Sequence, residues 1–196
     1  MSDGLKFAVE ALLFASEKPL SIEEIKSAFS AEGGSASGGD ENVSRADIES
    51  SLQALKEDYE SQERGFHLIE IAGGFQMTTH PRFAPYLKKF YQGREKKKLS
   101  RGALETLSVI AYKQPTTRAD IEFIRGVNVD GAIKSLMEKD LIRMIGRKDV
   151  PGRPILYGTT RDFLERFGIN SLKELPLLLE FTEKDLEGTH ESGQHS

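Results

Sequence analysis

Apolar residues crowd positions 5–15 more densely than one face of a helix can use. Leu5, Phe7, Ala8, Val9, Ala11, Leu12, Leu13, Phe14 and Ala15 surround the cylinder except for a stripe at Lys6 and Glu10, whereas a helix covering a small domain needs an apolar stripe only. The stretch contains neither Gly nor Pro, which favours a helix. Pro19 and Leu20 end it, and Ser21 followed by Glu24 has the capping-box spacing that opens a second helix over 22–29. Beyond a polar, Gly/Ser-rich stretch at 31–42, expected to be a mobile loop, Ser44 and Asp47 repeat that spacing. Ile48, Leu52, Leu55 and Tyr59 then mark a third helix. After Gly65 the apolar period shortens to that of a strand. Phe66, Leu68 and Ile69/Ile71 form one strand, Gly73 and Gly74 supply a tight turn, and 75–79 returns. A further helix is expected over 82–91, after Pro81.

The same order returns downstream. A shift of 96 positions carries Phe14 onto Ile110, Ala15 onto Ala111, Pro19 onto Pro115, Ser21 onto Thr117 and Ile25 onto Ile121. A shift of 81 carries Leu55 onto Leu136, Thr78 onto Thr159 and Thr79 onto Thr160, so the second copy is 15 residues shorter. The insert at 31–42 accounts for much of that difference. In the second copy Ser100 caps a helix to 112, Thr117 caps another to 125, and 130–140 is a third with Ile133, Leu136 and Met137 inward. Residues 141–145 pair with 155–158 across GRKDVPGRP, and 161–167 adds a short helix. Three helices followed by a β-hairpin is the winged-helix order. The expected fold is therefore mainly α (α+β in detail), with two tandem winged-helix domains of three helices and a β-hairpin wing each. Their spans are 1–92 and 100–168, joined by a basic linker at 93–99 and followed by a largely disordered tail at 169–196. Tandem copies favour binding over catalysis, because a catalytic site is asymmetric and two related surfaces suit an adaptor or scaffold.

The surplus on the first helix has two readings. It lies in a homodimer interface through Leu5, Phe7, Val9, Leu12 and Phe14, or it is the central helix of its own domain.

Composition narrows the chemistry. The 196 residues, 38% hydrophobic and 30% charged, suit a soluble protein with two modest cores, and the absence of Cys excludes disulfides, thiolate metal sites and cysteine nucleophiles. The first residues carry an acid and no basic stretch, and no uncharged apolar run approaches a membrane span, so a cytoplasmic location is expected. His67, His80, His190 and His195 form no ligand or general-base spacing. GxSxG, GxxxxGK[ST] and strand-linked GxGxxG motifs are absent. No catalytic residue, cofactor or metal is expected, and the acid run Glu57, Asp58, Glu60 and Glu63 reads as a solvated helix face.

The net charge of −4 is unevenly spread. Residues 1–87 hold 7 Lys/Arg against 15 Asp/Glu, 88–98 hold 6 against 1, 99–170 hold 12 against 9, and the remainder holds 2 against 6. Phosphate contact needs clustered positive charge, which leaves only the middle of the chain for DNA. The third helix of each copy is net acidic, against major-groove insertion. Arg143, Arg147, Lys148 and Arg153 do cluster on the second wing, where DNA contact would be weak, sequence-independent and salt-sensitive.

Residues 99–176, above all AYKQPTTRADIEFIRGV at 111–127 and GRKDVPGRPILYGTT at 146–160, closely resemble segregation and condensation protein B of bacteria. EALLFASEKPLS near the N-terminus resembles that family too. The resemblance implies a homodimer of tandem winged-helix subunits that binds the kleisin ScpA and, through it, the ATPase heads of the SMC protein. Such a condensin-like complex serves chromosome partition during cell division and is nucleoid-associated. It also implies that the N-terminal domains dimerise and the C-terminal domains grip the kleisin. Arg125, Gly126, Val127, Asn128, Arg147, Arg153 and Tyr157 are the candidate kleisin contacts. The expectation is thus a non-catalytic adaptor without cofactors, with a winged-helix DNA-binding transcription regulator as the alternative.

Overall fold

The computed structural model describes residues 3–30, 43–91 and 98–176. The Gly/Ser-rich insert, most of the basic linker and the chain beyond Pro176, with His190 and His195, lie outside the described residues.

Helices α1 (Asp3–Ala15), α2 (Ile22–Ser30) and α3 (Arg45–Ser61) precede an antiparallel hairpin of β1 (Phe66–Ile71) and β2 (Gly74–Thr79). A short 3-10 turn over Pro81–Phe83 then leads into α4 (Ala84–Phe90). Helix α5 (Arg101–Lys113), strand β3 (Thr116–Thr117) and helices α6 (Arg118–Arg125) and α7 (Asp130–Glu138) precede β4 (Ile142–Arg147), β5 (Ile155–Thr159) and α8 (Arg161–Phe167). The fold is α+β, mostly helical with small antiparallel sheets.

Three helices open on reciprocal capping. The Ser21 amide donates to Glu24 Oε2 at 2.7 Å while the Glu24 amide donates to Ser21 Oγ at 3.2 Å. Ser44 with Asp47, and Thr117 with Asp120, do the same for α3 and α6. Each device satisfies two amides that a helix start otherwise leaves without partners.

The described residues hold two hydrophobic clusters. Val9 and Leu13 of α1, Ile25 of α2, Ile48, Leu52, Leu55 and Tyr59 of α3, and Leu68 of β1 make the first. Leu107 and Ile110, Ile121, Ile133 and Leu136, with Tyr157 and Phe163, lead the second. The repeat is visible in these positions, because Ile25 and Ile121 are both fully buried, and Leu52 and Leu55 match Ile133 and Leu136 at the second shift. It slips by one on the first helix. Phe14 is 79% exposed whereas its aligned Ile110 is 0% exposed, because α1 buries Val9 and Leu13 instead.

Four details depart from the sequence reading. The hairpin turn uses Ala72 and Gly73, at φ 52° and 68°, and Gly74 is a strand residue opposite Ile71. Its missing side chain is needed there, since a Cβ would lie 2.8 Å from the Leu20 carbonyl carbon. A third strand, β3, pairs with β5 through Thr116–Tyr157 and Thr117–Leu156, and two residues are too few to show a period. The first half keeps only a single bridge at that place, where Leu20 and Phe75 exchange backbone hydrogen bonds of 2.9 and 2.8 Å. The helix expected over 82–91 starts at Ala84, because the 3-10 turn capped by His80 precedes it. Finally, 169–176 is not loose tail: Ile169 and Leu175 pack on the second cluster, and Tyr112 Oη donates to the Pro176 carbonyl at 2.8 Å.

Hydrogen bonds from the cap hydroxyls, then from the cap amides, hold the Glu24, Asp47 and Asp120 carboxyls below their ordinary values. A depressed carboxyl contributes stability above its unfolded-state pKa and loses it as pH falls through the folded-state value. We therefore predict that urea midpoints fall on acidification below about pH 4. A variant carrying Glu24→Gln, Asp47→Asn and Asp120→Asn should start lower and show a flatter acid limb.

Candidate partner-binding surfaces

Helix α1 is held to α3 by its polar stripe. Lys6 Nζ donates to Asp58 Oδ2 at 2.8 Å, and Tyr59 Oη donates to Glu10. Burial first, and that hydrogen bond second, push the Tyr59 phenol above its ordinary pKa, so it stays protonated and donating. Val9 and Leu13 bury the face beside that stripe, and the apolar surplus lies on the face turned away from them, next to Glu10. Phe7, 56% exposed, and Phe14 stand in line with exposed Ala11 and Ala15, a spacing that makes one continuous stripe. Of the candidate self-association residues, Val9 is a correction: it lies wholly inside its own cluster and has no surface to offer. Leu5 and Leu12 are half-buried against the same cluster, leaving Phe7 and Phe14 as the exposed pair.

The second half offers a different surface. A groove of about 560 Å³ runs between α6, the start of α7 and the sheet, lined by Arg118, Glu122, Asp130, Arg147, Pro154 and Tyr157 among others. Arg118 Nε donates to Glu122 at 3.0 Å and its Nη1 pairs with Asp130, so the groove floor is a closed charge network. Two candidate kleisin residues, Arg147 and Tyr157, meet here. Tyr157 is largely buried, so little of its surface is open to the groove. The wing bends through Gly152 and Arg153, at φ 84° and 41°, and Arg147 Nη1 donates to the Arg153 carbonyl at 3.1 Å.

Gly126, Val127 and Asn128 sit at the far end of α6. Gly126 takes the left-handed conformation that stops the helix, and Asn128 Oδ1 accepts from the Asp130 amide at 3.1 Å to start α7. Arg125 is the second correction. Its side chain is only 14% exposed and is spent inside the fold, donating to the Gly102 carbonyl at 2.9 Å and Thr106 Oγ1 at 2.6 Å while pairing with Glu105 at 2.5 Å. The residue that the sequence reading missed is beside it. Phe123 is 90% exposed and forms an apolar patch with Val127 just past the end of α6, and Ile124 on the same helix is half exposed. The signal was available, since α6 buries Ile121 alone yet carries three large apolar residues.

Some of the basic residues of this half are paired with carboxylates. Lys148 lies 3.9 Å from Asp120, and Lys134 lies 4.0 Å from Glu138. Arg143 and Arg153 have no acidic partner within 4.0 Å among the described residues. On the acid run, Lys6 holds Asp58, Gln53 donates to Glu57 at 2.7 Å, and Glu63 faces Arg82. No group of three metal-ligating side chains occurs among the described residues. The hairpin does bring His67 and His80 together, rings 5.2 Å apart, and burial, then the neighbouring His80, lower the His67 pKa.

Residues 7–178 match the protein family described as segregation and condensation complex subunit ScpB. The chain belongs to the ScpB family. Segregation and condensation protein B of Syntrophotalea carbinolica is 46% identical over 179 residues, covering 91% of this chain and 84% of that one. The crystal structure of ScpB from Mycobacterium tuberculosis has 32% identity over 86% of this chain and 98% of that chain, with a TM-score of 0.40. A solved dimer of an ScpB N-terminal domain, complexed with an ScpA peptide, has 32% identity over 45% of this chain and 95% of that chain, with a TM-score of 0.37. Among the described residues of this ScpB family member, no helix is long and apolar enough to cross a membrane.

Arg125→Ala should act on the fold. Losing a charged donor with three acceptors should cost about 2 kcal/mol, read as a lower urea midpoint, and Arg125→Lys should recover only part of it.

Proposed function

We propose that this chain is a non-catalytic adaptor of a chromosome segregation and condensation complex. Each half is a winged helix. The first pairs with a second copy through the Phe7, Ala11, Phe14 and Ala15 stripe of α1. The second holds the kleisin ScpA with the wing residues Arg147 and Arg153, the exposed part of Tyr157, and the Phe123 and Val127 patch next to Asn128. Gly126 shapes that patch, and Arg125 supports it from within. SMC is reached through the kleisin, and DNA contact with this subunit is weak or indirect. The site of action is the nucleoid, in the cytoplasm.

The observation that carries this reading is an uncovered apolar surface on each half of a chain whose family is a complex subunit. Exposed phenylalanines near a polar rim are the kind of anchor from which interfaces draw most of their energy. The acidic third helices, α3 and α7, weigh against an operator-binding regulator that inserts such a helix in the major groove. Arg118, Lys134 and Lys148 are paired with carboxylates, which leaves the wing arginines as free cations for a weak, sequence-independent phosphate contact.

Two variants separate the surfaces. Phe7→Asp with Phe14→Asp should turn the dimer into a monomer by light scattering while leaving the affinity for an ScpA fragment within reach of a single-subunit contact. Phe123→Asp, or Arg147→Ala with Arg153→Ala, should leave the dimer intact and weaken that fragment's binding in calorimetry by at least about tenfold, equivalent to ~1.4 kcal/mol. Unchanged affinity in both of these refutes the assignment of the second surface.

A further inference from the structure

The side chain of Arg161, first residue of α8, reaches out of the second half into the first. Its Nη2 donates to the Pro19 carbonyl at 2.7 Å, its Nε to the Ala72 carbonyl at 3.2 Å, and its Nη1 to Glu24 Oε2 at 3.2 Å. These three acceptors come from the segment after α1, the β1–β2 turn and the capping box of α2. A planar guanidinium spreads its donors over three nitrogens in a fixed fork and reaches all three acceptors, whereas the three donors of an ammonium radiate from a single atom.

Neighbouring contacts repeat the connection. Lys18 Nζ pairs with Asp162 at 3.0 Å, and the Ala72 amide donates to the Ile169 carbonyl at 3.1 Å. The first half is shaped to receive the arginine. A Cβ at Gly74 would lie 2.7 Å from Arg161 Nη2, so the bare strand residue leaves the space that the guanidinium fills. Ala72, at the tip of the turn, is buried where the second half covers it.

We propose that Arg161 is a positioning residue that latches the two halves into one body, so that the α1 stripe and the α6 and wing surfaces keep a fixed mutual geometry. The charged bonds to Glu24 and the backbone contribute the directionality, and the exposed Lys18–Asp162 pair adds little by itself. A dimer built through α1 then presents its two partner surfaces at one defined spacing instead of on two independently tumbling beads. The latch stands or falls independently of what those surfaces bind.

The chain has no Cys, so paired spin labels can be placed without background. Ala46→Cys on α3 and Lys134→Cys on α7, both exposed, read the separation of the two halves by pulsed electron resonance. Dilution with excess unlabelled protein confines the reading to one subunit. Without further change the distance distribution should be single and narrow. Arg161→Ala should broaden it at least twofold with helical circular dichroism preserved, and Arg161→Lys should give an intermediate width. A broad distribution in the otherwise unchanged protein overturns the proposal, as does an Arg161→Ala distribution as narrow as the parent's. If Arg161→Ala does not fold, Arg161→Lys supplies the comparison, and a width equal to the parent's overturns the proposal equally.

Discussion

Each half of the structure depends on one small knot of aliphatic side chains where the second helix meets the third. In the first half Ile25 of α2 meets Ile48, Leu52 and Leu55 of α3, and in the second Ile121 of α6 meets Val129, Ile133 and Leu136. These side chains are buried, and burying each stabilises the fold by about 1.5–3 kcal/mol. The knot is small because the second helix of each half is short, and α6 contributes only Ile121 to it. Apolar residues beyond what the knot can cover must then lie on the outside, which is where Phe7, Phe14 and Phe123 are found. The exposed apolar surfaces follow from the limited capacity of the cores.

Which face of α1 turns inward is decided by hydrogen bonding as well as by apolarity. A helix apolar nearly all round could place its Lys6 and Glu10 stripe in water and bury any other face. Here the stripe lies along α3, where Asp58 and Tyr59 supply partners for both groups. Paired in this way, the two charged residues avoid the penalty of partial burial without a partner. The consequence is inverted amphipathicity, in which the solvent side of the free chain is the apolar side. That arrangement is tolerable in a subunit that covers the stripe with another surface.

Much of this was legible in the chain because the signals are local. Capping boxes place a Ser or Thr three residues before an acid, and the buried rows of α3 and α7 repeat with helical spacing, so helix starts and inward faces could be read directly. What escaped depends on contacts between distant segments. β3 has two residues and exists only because β5 lies beside it. The tight turn falls on Ala72 and Gly73 because Gly74 is needed in the strand for the approach of Leu20 and Arg161. The 169–176 segment looks polar enough to be loose, yet Ile169 and Leu175 find apolar surface. Arg125 looks like a free basic residue until Glu105 and the Gly102 carbonyl are brought next to it. Phe123 is different: α6 carries Ile121, Phe123 and Ile124 but buries Ile121 alone, and an eight-residue helix is too short for that excess to stand out as a period.

The two hairpins show how similar halves come to different uses. The first is closed by a two-residue turn whose tip is covered, with the Ala72 amide and carbonyl both taken by the second half through Ile169 and Arg161. Both backbone groups of Ala72 are therefore unavailable to any outside partner. In the second hairpin the strands separate after Arg147 into a longer bend stiffened by Pro151 and Pro154, which folds on itself through Lys148 to Pro154 and Arg147 to Arg153. Its exposed residues, Val150 and Arg153 among them, make no contact that ties them to the first half among the described hydrogen bonds and ion pairs. The first hairpin therefore serves as the socket of the interdomain contact, and only the second is free to act outward. The charge asymmetry follows the same division, because an inward hairpin gains nothing from cations, while an outward one can use Arg143, Arg147 and Arg153 to steer and orient a partner.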